Sequence, residues 1–172
     1  AASDTVVSLC PTTEADLGDG IARVKDLQDA GVRMAIGTDE DVITDPFTEL
    51  RMLESTARLA TGTRGIIDCE ALWKIGTRNG VESLRPAAEP LPRQTSTPGP
   101  GSAGLAAGDP ADIVVVEPSS ARLAGADPTR WPLVATANDV AATIVAGEWN
   151  RLDAAVAEDL RHVLDELRGR DS

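Results

Sequence analysis

Two grammars of apolar and polar positions follow one another along the chain. Residues 5–9 form a short β-branched and apolar run, which predicts a strand ended by Pro11. Residues 12–20 are rich in Thr, Asp and Gly and predict a loop. Ile21, Val24, Leu27 and Ala30 then recur every three positions as one stripe of a short helix, with Gly31 placed for a left-handed C-terminus. Residues 32–39 read as a second strand, apolar on both faces after Arg33, a pattern that suits a buried parallel sheet. Asp45-Pro46 predicts a helix start, because Asp caps free N–H groups and Pro fits the first helical position. Phe47, Leu50, Leu53, Ala57 and Ala60 give that helix its buried stripe, and a further helix runs over residues 68–84, weakened at Gly76 and Asn79-Gly80.

This β-loop-α-β-loop-α-α order predicts a parallel α/β layer or barrel. Residues 86–104 interrupt it with five prolines and no apolar period, the composition of a linker. Beyond it, residues 111–117 and 139–149 predict strands of an antiparallel sheet, the second ending in a Gly-Glu turn. The stretch 121–131 reads as a loop anchored by Trp131-Pro132. A closing helix over residues 151–168 carries Leu152, Val156, Leu160, Val163 and Leu167 on one face, with Asn150 as its cap. Four segments follow: 1–85, 86–104, 105–150 and 151–172. No internal repeat is visible.

Composition narrows the function. Acidic groups number 28 against 16 Lys and Arg, a net charge of −12, so the clustered cations that track nucleic acid or anionic lipid are missing. No apolar run reaches the ~18–20 residues of a membrane helix, and residues 1–10 lack the basic and apolar regions of a signal peptide. Two cysteines make no disulfide framework, and a cytoplasmic protein is the expectation. The chain has one histidine, His162, where a self-contained metallohydrolase or histidine-based triad uses several. It is expected to hold only part of any such chemistry.

Asp39 is the foremost candidate. It ends an apolar strand and opens a polar loop, and in parallel α/β barrels functional groups gather at the carboxyl ends of strands. A carboxylate there can bind a metal and carry a proton; the plainer alternative is that it caps a turn. Glu14, Asp16 and Asp19 lie in the loop after the first strand, where contact with substrate and helix capping weigh equally. Asp39, Glu40, Asp41 and Asp45 fail as a helix-loop-helix calcium site, since the required Gly and Glu positions hold Thr44 and Leu50; Glu40, Asp41 and Asp45 are expected to be solvated. The glycines of residues 101–108 lack the Gly-Lys-Ser/Thr of a phosphate loop. His162 is expected at the surface, and Cys10 has no histidine near it in the chain to make it a nucleophile.

Three stretches together resemble the C-terminal part of the amidohydrolase superfamily. They are SLCPTTEADLGDGI, GVRMAIGTDEDVITDPFTELRMLE, and GLAAGDPADIVVVE with DVAATIVAGEW. They look like the seventh barrel strand, the eighth strand with its metal-site aspartate, and the strands of a small flanking β domain. Within the superfamily, the Cys-Pro-Thr-Thr-Glu and Asp-Pro-Phe-Thr-Glu runs are most similar to the formimidoylglutamate deiminases. The resemblance implies the last two strands and helices of a (β/α)8 TIM-like barrel, then part of a composite β-sandwich domain and a terminal helix.

It also implies one divalent metal, zinc by family habit, with Asp39 as ligand and proton carrier. A metal lowers the pKa of its bound water toward neutrality. The implied reaction is hydrolysis of N-formimino-L-glutamate to N-formyl-L-glutamate and ammonia, with Asp39 passing the proton of the attacking water to the departing ammonia. By motif only Asp39 carries over. The family's histidines and catalytic glutamate belong to strands that would precede Ala1, and Glu40 stands where the family places a small polar residue.

Since two strands cannot close a barrel of eight, the isolated chain is expected to be aggregation-prone or to need a partner carrying the first six barrel units. A small-molecule substrate, no nucleic acid, no membrane, and room for a homodimer of the complete enzyme complete the expectation. Two alternatives stay open. One is a purine- or triazine-type aminohydrolase of the same superfamily; the other is a non-catalytic remnant, which stoichiometric zinc in the purified chain would exclude.

Overall fold

The computed structural model describes residues 5–84, 105, 110–150, 161–163, 165–166 and 168. The predicted linker (86–104) and most of the predicted closing helix lie outside these; residues 161–163, 165–166 and 168 are helical, and His162 is exposed. Two compact units emerge from the contacts. The first takes residues 1–109 and 118–139, the second residues 110–117 and 140–172.

In the first unit, strands β1 (Val6–Leu9) and β2 (Arg33–Ile36) pair in parallel, with Val6 opposite Arg33 and Leu9 opposite Ile36. Helices α1 (Pro11–Leu17) and α2 (Val24–Asp29) connect them. The expected loop over residues 12–20 is therefore corrected to a helix as far as Leu17. Pro11 occupies the first helical position and Gly18, at φ 74°, closes the helix in the left-handed conformation. Gly31 is left-handed as expected (φ 68°), but the stripe ahead of it is shorter. Val24 is buried, whereas Ile21 precedes the helix and is exposed.

Helix α3 (Pro46–Thr61) begins as predicted: Asp45 accepts hydrogen bonds from Phe47 N at 3.0 Å and Thr48 Oγ1 at 2.8 Å. Asp45 is buried in this cap, which corrects the expectation that it is solvated. Phe47, Leu50, Leu53 and Ala57 are buried; Ala60, in the last turn, is exposed. The predicted helix over 68–84 divides at Thr77 into α4 (Cys69–Gly76) and α5 (Arg78–Leu84). A Cβ at Gly76 would stand 2.8 Å from Leu50 Cδ1, so this glycine lets α4 close on α3.

One core gathers Leu9, Met34, Leu50, Leu53, Ile67, Leu72 and Ile75 from these elements. Each fully buried Leu or Ile contributes about 1.5–3 kcal/mol relative to exposure. Residues 118–139 join this unit through α6 (Trp131–Val134), whose Leu133 carbonyl accepts from Arg51 Nε at 3.0 Å. The expected loop over 121–131 is thus partly helical, and Pro132 supplies the buried anchor.

Asp139 closes that segment. It is buried and accepts from Thr136 N at 2.8 Å and Arg122 Nη1 at 3.0 Å. The Ser120 hydroxyl, opposed by burial and supported by Thr136 and Arg122, holds its carboxyl down from 3.8 to about 2. A carboxylate depressed by folding stabilises the native state above its unfolded pKa and loses that contribution as pH falls through the folded value. Stability measured by urea melts should therefore drop between about pH 4 and pH 2 through this group. Asp139→Asn should be less stable at neutral pH and show a shallower drop; an unchanged acid limb would refute the assignment.

The second unit is a three-stranded antiparallel sheet in the order β3 (Ile113–Val116), β4 (Val140–Val145), β5 (Glu148–Asn150). The predicted second strand is in fact a hairpin. Ala146 and Gly147, both at positive φ, form the turn, so Glu148 begins a strand and does not belong to the turn. Asn150, expected to cap the last helix, pairs with Thr143. Asp112 Oδ1 accepts from Ala146 N at 2.8 Å and fastens the turn to the start of β3. The whole is an α/β fold with an unclosed parallel layer and a small antiparallel sheet.

Candidate active site

Because β1 and β2 run parallel, their carboxyl ends lie side by side. Gly37 N donates to Leu9 O at 3.0 Å and carries the pairing one residue beyond β2. A side chain at Gly37 would press on Cys10 Sγ and Ser8 Oγ, each 3.2 Å from where its Cβ would stand. The chain then turns. Thr38 O accepts from Asp41 N at 3.1 Å, and Asp41 Oδ1 accepts from Thr38 Oγ1 at 2.5 Å. Asp39 sits within this turn at φ 51° with its side chain exposed. A non-glycine residue there costs of order 1 kcal/mol, the low end for a left-handed residue because aspartate tolerates this region.

Burial pushes the Cys10 thiol up from its ordinary value, and the Asp39 carboxylate adds to the shift against the Ser8 hydrogen bond. Asp39 stands in the turn just beyond the carboxyl end of β2. The raised pKa leaves Cys10 as an unactivated thiol. Glu40 and Asp41 are exposed beside Asp39. Glu14 Oε1 accepts from Cys10 N at 2.9 Å, which is helix capping, and Asp16 and Asp19 are exposed. The structure therefore brings Asp39 and Glu14 to one rim with Cys10 and gives Glu14 a structural partner.

Sequence reasoning missed the groups that hold this rim. Glu49 is wholly buried and accepts from Thr12 N at 3.1 Å and from Thr12 Oγ1, tying the first turn of α1 to α3. Thr13, also buried, donates its hydroxyl to Thr38 O at 2.8 Å. The local signal for Glu49 was its place in the first turn of a helix begun by Asp45-Pro46, which reads as an ordinary favourable charge near the helix N-terminus. Its burial depends on α1.

Among the described residues no set of three or more His, Cys, Asp and Glu side chains converges to hold a metal ion. Zinc takes about four ligands. At this rim the chain offers Asp39 with its exposed neighbours Glu40 and Asp41, a Glu14 already bound to Cys10 N, and a thiol whose pKa is raised; His162 belongs to the other unit. These residues alone do not fit a zinc site.

No protein-family model matches the chain. It is similar to the formimidoylglutamate deiminase of Pseudomonas aeruginosa, with 32% identity over 174 residues, covering 99% of this chain and 36% of that protein. It is also similar to the 5-methylthioadenosine/S-adenosylhomocysteine deaminase of Pyrococcus horikoshii, with 26% identity over 178 residues, 98% of this chain and 38% of that protein. Among solved structures, an adenosine deaminase from Xanthomonas campestris with bound zinc superposes with a TM-score of 0.70 at 22% identity. That match covers 95% of this chain and 38% of the other, and is a likeness of fold. The chain is thus homologous, at low identity, to deaminases and hydrolases of the amidohydrolase superfamily and resembles metal-dependent hydrolases. It spans little more than a third of the length of the relatives it matches.

Proposed function

We propose that this chain is the C-terminal part of a metal-dependent aminohydrolase that releases ammonia from an amino-substituted heteroaromatic ring of purine type. The observation that carries the reading is Asp39, a carboxylate exposed where the carboxyl ends of two parallel strands meet. Hydrolytic deamination needs a base that takes a proton from attacking water and returns it to the departing amine, and a rim carboxylate can do both. In this proposal polypeptide outside the chain supplies the remaining metal ligands and barrel strands. Asp39 carries the chemistry; Glu14, bound to Cys10 N, and the exposed Asp16 are peripheral contacts.

The substrate class follows from charge. Asp39, Glu40 and Asp41 are consecutive and exposed on the rim, in a chain of net charge −12. Such a rim repels a dicarboxylate and tolerates a neutral or cationic ring. A second reading, deimination of N-formimino-L-glutamate, is favoured by the 32% identity that extends over 99% of the chain. It would need cations from outside the chain to grip two carboxylates.

The test is ammonia release by the gene product that contains this chain, with metal content measured on the same sample. It should act on 5-methylthioadenosine at least about tenfold faster, in kcat/KM, than on N-formimino-L-glutamate, the low end of the discrimination a pocket supplies. The reverse order would establish the second reading, and no ammonia from either would reject both.

A further inference from the structure

We infer that Thr13 is a positioning residue for Asp39, a role that rests on the function proposed above for its catalytic consequence. The aspartate occupies a backbone conformation that residues with a side chain rarely adopt, and such a conformation persists only where its surroundings over-determine it. Thr38 O, the carbonyl immediately before Asp39, is the anchor. It accepts from Asp41 N within the turn at 3.1 Å and from Thr13 Oγ1 at 2.8 Å. The turn's own bond belongs to an exposed segment, whereas Thr13 is 1% exposed and comes from α1, 25 residues away in sequence.

The hydroxyl itself is held in place. Its neighbour Thr12 is bound through both N–H and Oγ1 to the buried carboxylate of Glu49, so the first turn of α1 cannot drift from α3. A chain of contacts thus runs Glu49, Thr12, Thr13, Thr38, Asp39. It joins the loop after β1 to the loop after β2 and fixes where the Asp39 carboxylate stands on the shared rim. Thr13 touches no reacting atom in this scheme; it acts through the Thr38 carbonyl.

The experiment compares Thr13→Val, which keeps the shape and removes the hydroxyl, with Thr13→Ser, which keeps the hydroxyl, in the gene product that contains this chain. Thr13→Val should lower kcat by roughly 10–100-fold, the cost of misplacing a catalytic group by an ångström or less, with KM within about twofold. Hydrogen exchange of the peptide covering residues 38–44 should quicken by about tenfold while residues 33–37 keep their protection. Thr13→Ser should restore both. Unchanged kcat and exchange in Thr13→Val, or failure of Thr13→Ser to restore them, would overturn the assignment. Should the wild-type protein deaminate nothing, the proposed function falls, and exchange over residues 38–44 alone still decides whether Thr13 holds the turn.

Discussion

Asp39→Asn in the complete enzyme should lower kcat/KM by about 10³-fold or more, equivalent to roughly 4 kcal/mol of lost transition-state stabilisation. The substitution separates chemistry from architecture. Asparagine tolerates the left-handed φ of 51° about as well as aspartate, so the turn closed by Thr38 O and Asp41 N should survive. What disappears is the negative charge and the ability to take up a proton, the two properties that a base and metal ligand requires. Melting temperature should stay near the wild-type value, and metal content should fall if the carboxylate is a ligand. The Cys10 thiol should also ionise more readily, since Asp39 is one cause of its raised pKa. A variant within tenfold of wild-type kcat/KM would end the case for Asp39.

Glu54→Ala should lower stability by about 3 kcal/mol, because it removes a wholly buried carboxylate that holds a loop and a partly exposed arginine. Glu54 is 0% exposed. Its Oε1 accepts from Gly65 N at 2.9 Å and Arg58 Nε at 2.8 Å, and its Oε2 accepts from Ile67 N at 2.8 Å. The carboxylate thereby holds the loop between α3 and α4 against the core, where Ile67 is buried. Alanine leaves the buried Ile67 N–H without its acceptor, at about 1–3 kcal/mol, frees the N–H of the exposed Gly65, and opens a cavity besides. Glu54→Gln should cost less, since one carbonyl oxygen remains to accept. Urea melts of the three proteins check the order wild type, Gln, Ala. A Glu54→Ala loss below 1 kcal/mol would mean that water enters and satisfies the loop.

Much of the local structure was written in neighbouring residues. Pro46 behind Asp45, the stripe from Phe47 to Ala57, Gly31 behind α2 and the apolar run of β2 each specify their element through contacts a few positions apart. The same reading ran the strand through Asp39; the strand ends at Ile36, and Asp39 falls in the turn just past its carboxyl end. Where it failed, the deciding contact was distant. Residues 12–20 looked like a turn-rich loop because Thr and Asp are weak helix formers. Thr12 and Thr13 are nonetheless helical and buried, on contacts with Glu49 and with Thr38 O, which lie 37 and 25 residues away.

Asp45, Glu49 and Glu54 make the contrast plain, for all three are acidic residues in or beside α3. Sequence alone determined that this helix exists and starts at Asp45-Pro46, because capping and apolar periodicity are satisfied within a turn or two. Only the tertiary structure decided that Glu49 and Glu54 are buried. A carboxylate leaves water only where donors replace its hydration, and the donors at Thr12, Gly65 and Ile67 reach it only after the chain has folded back on itself.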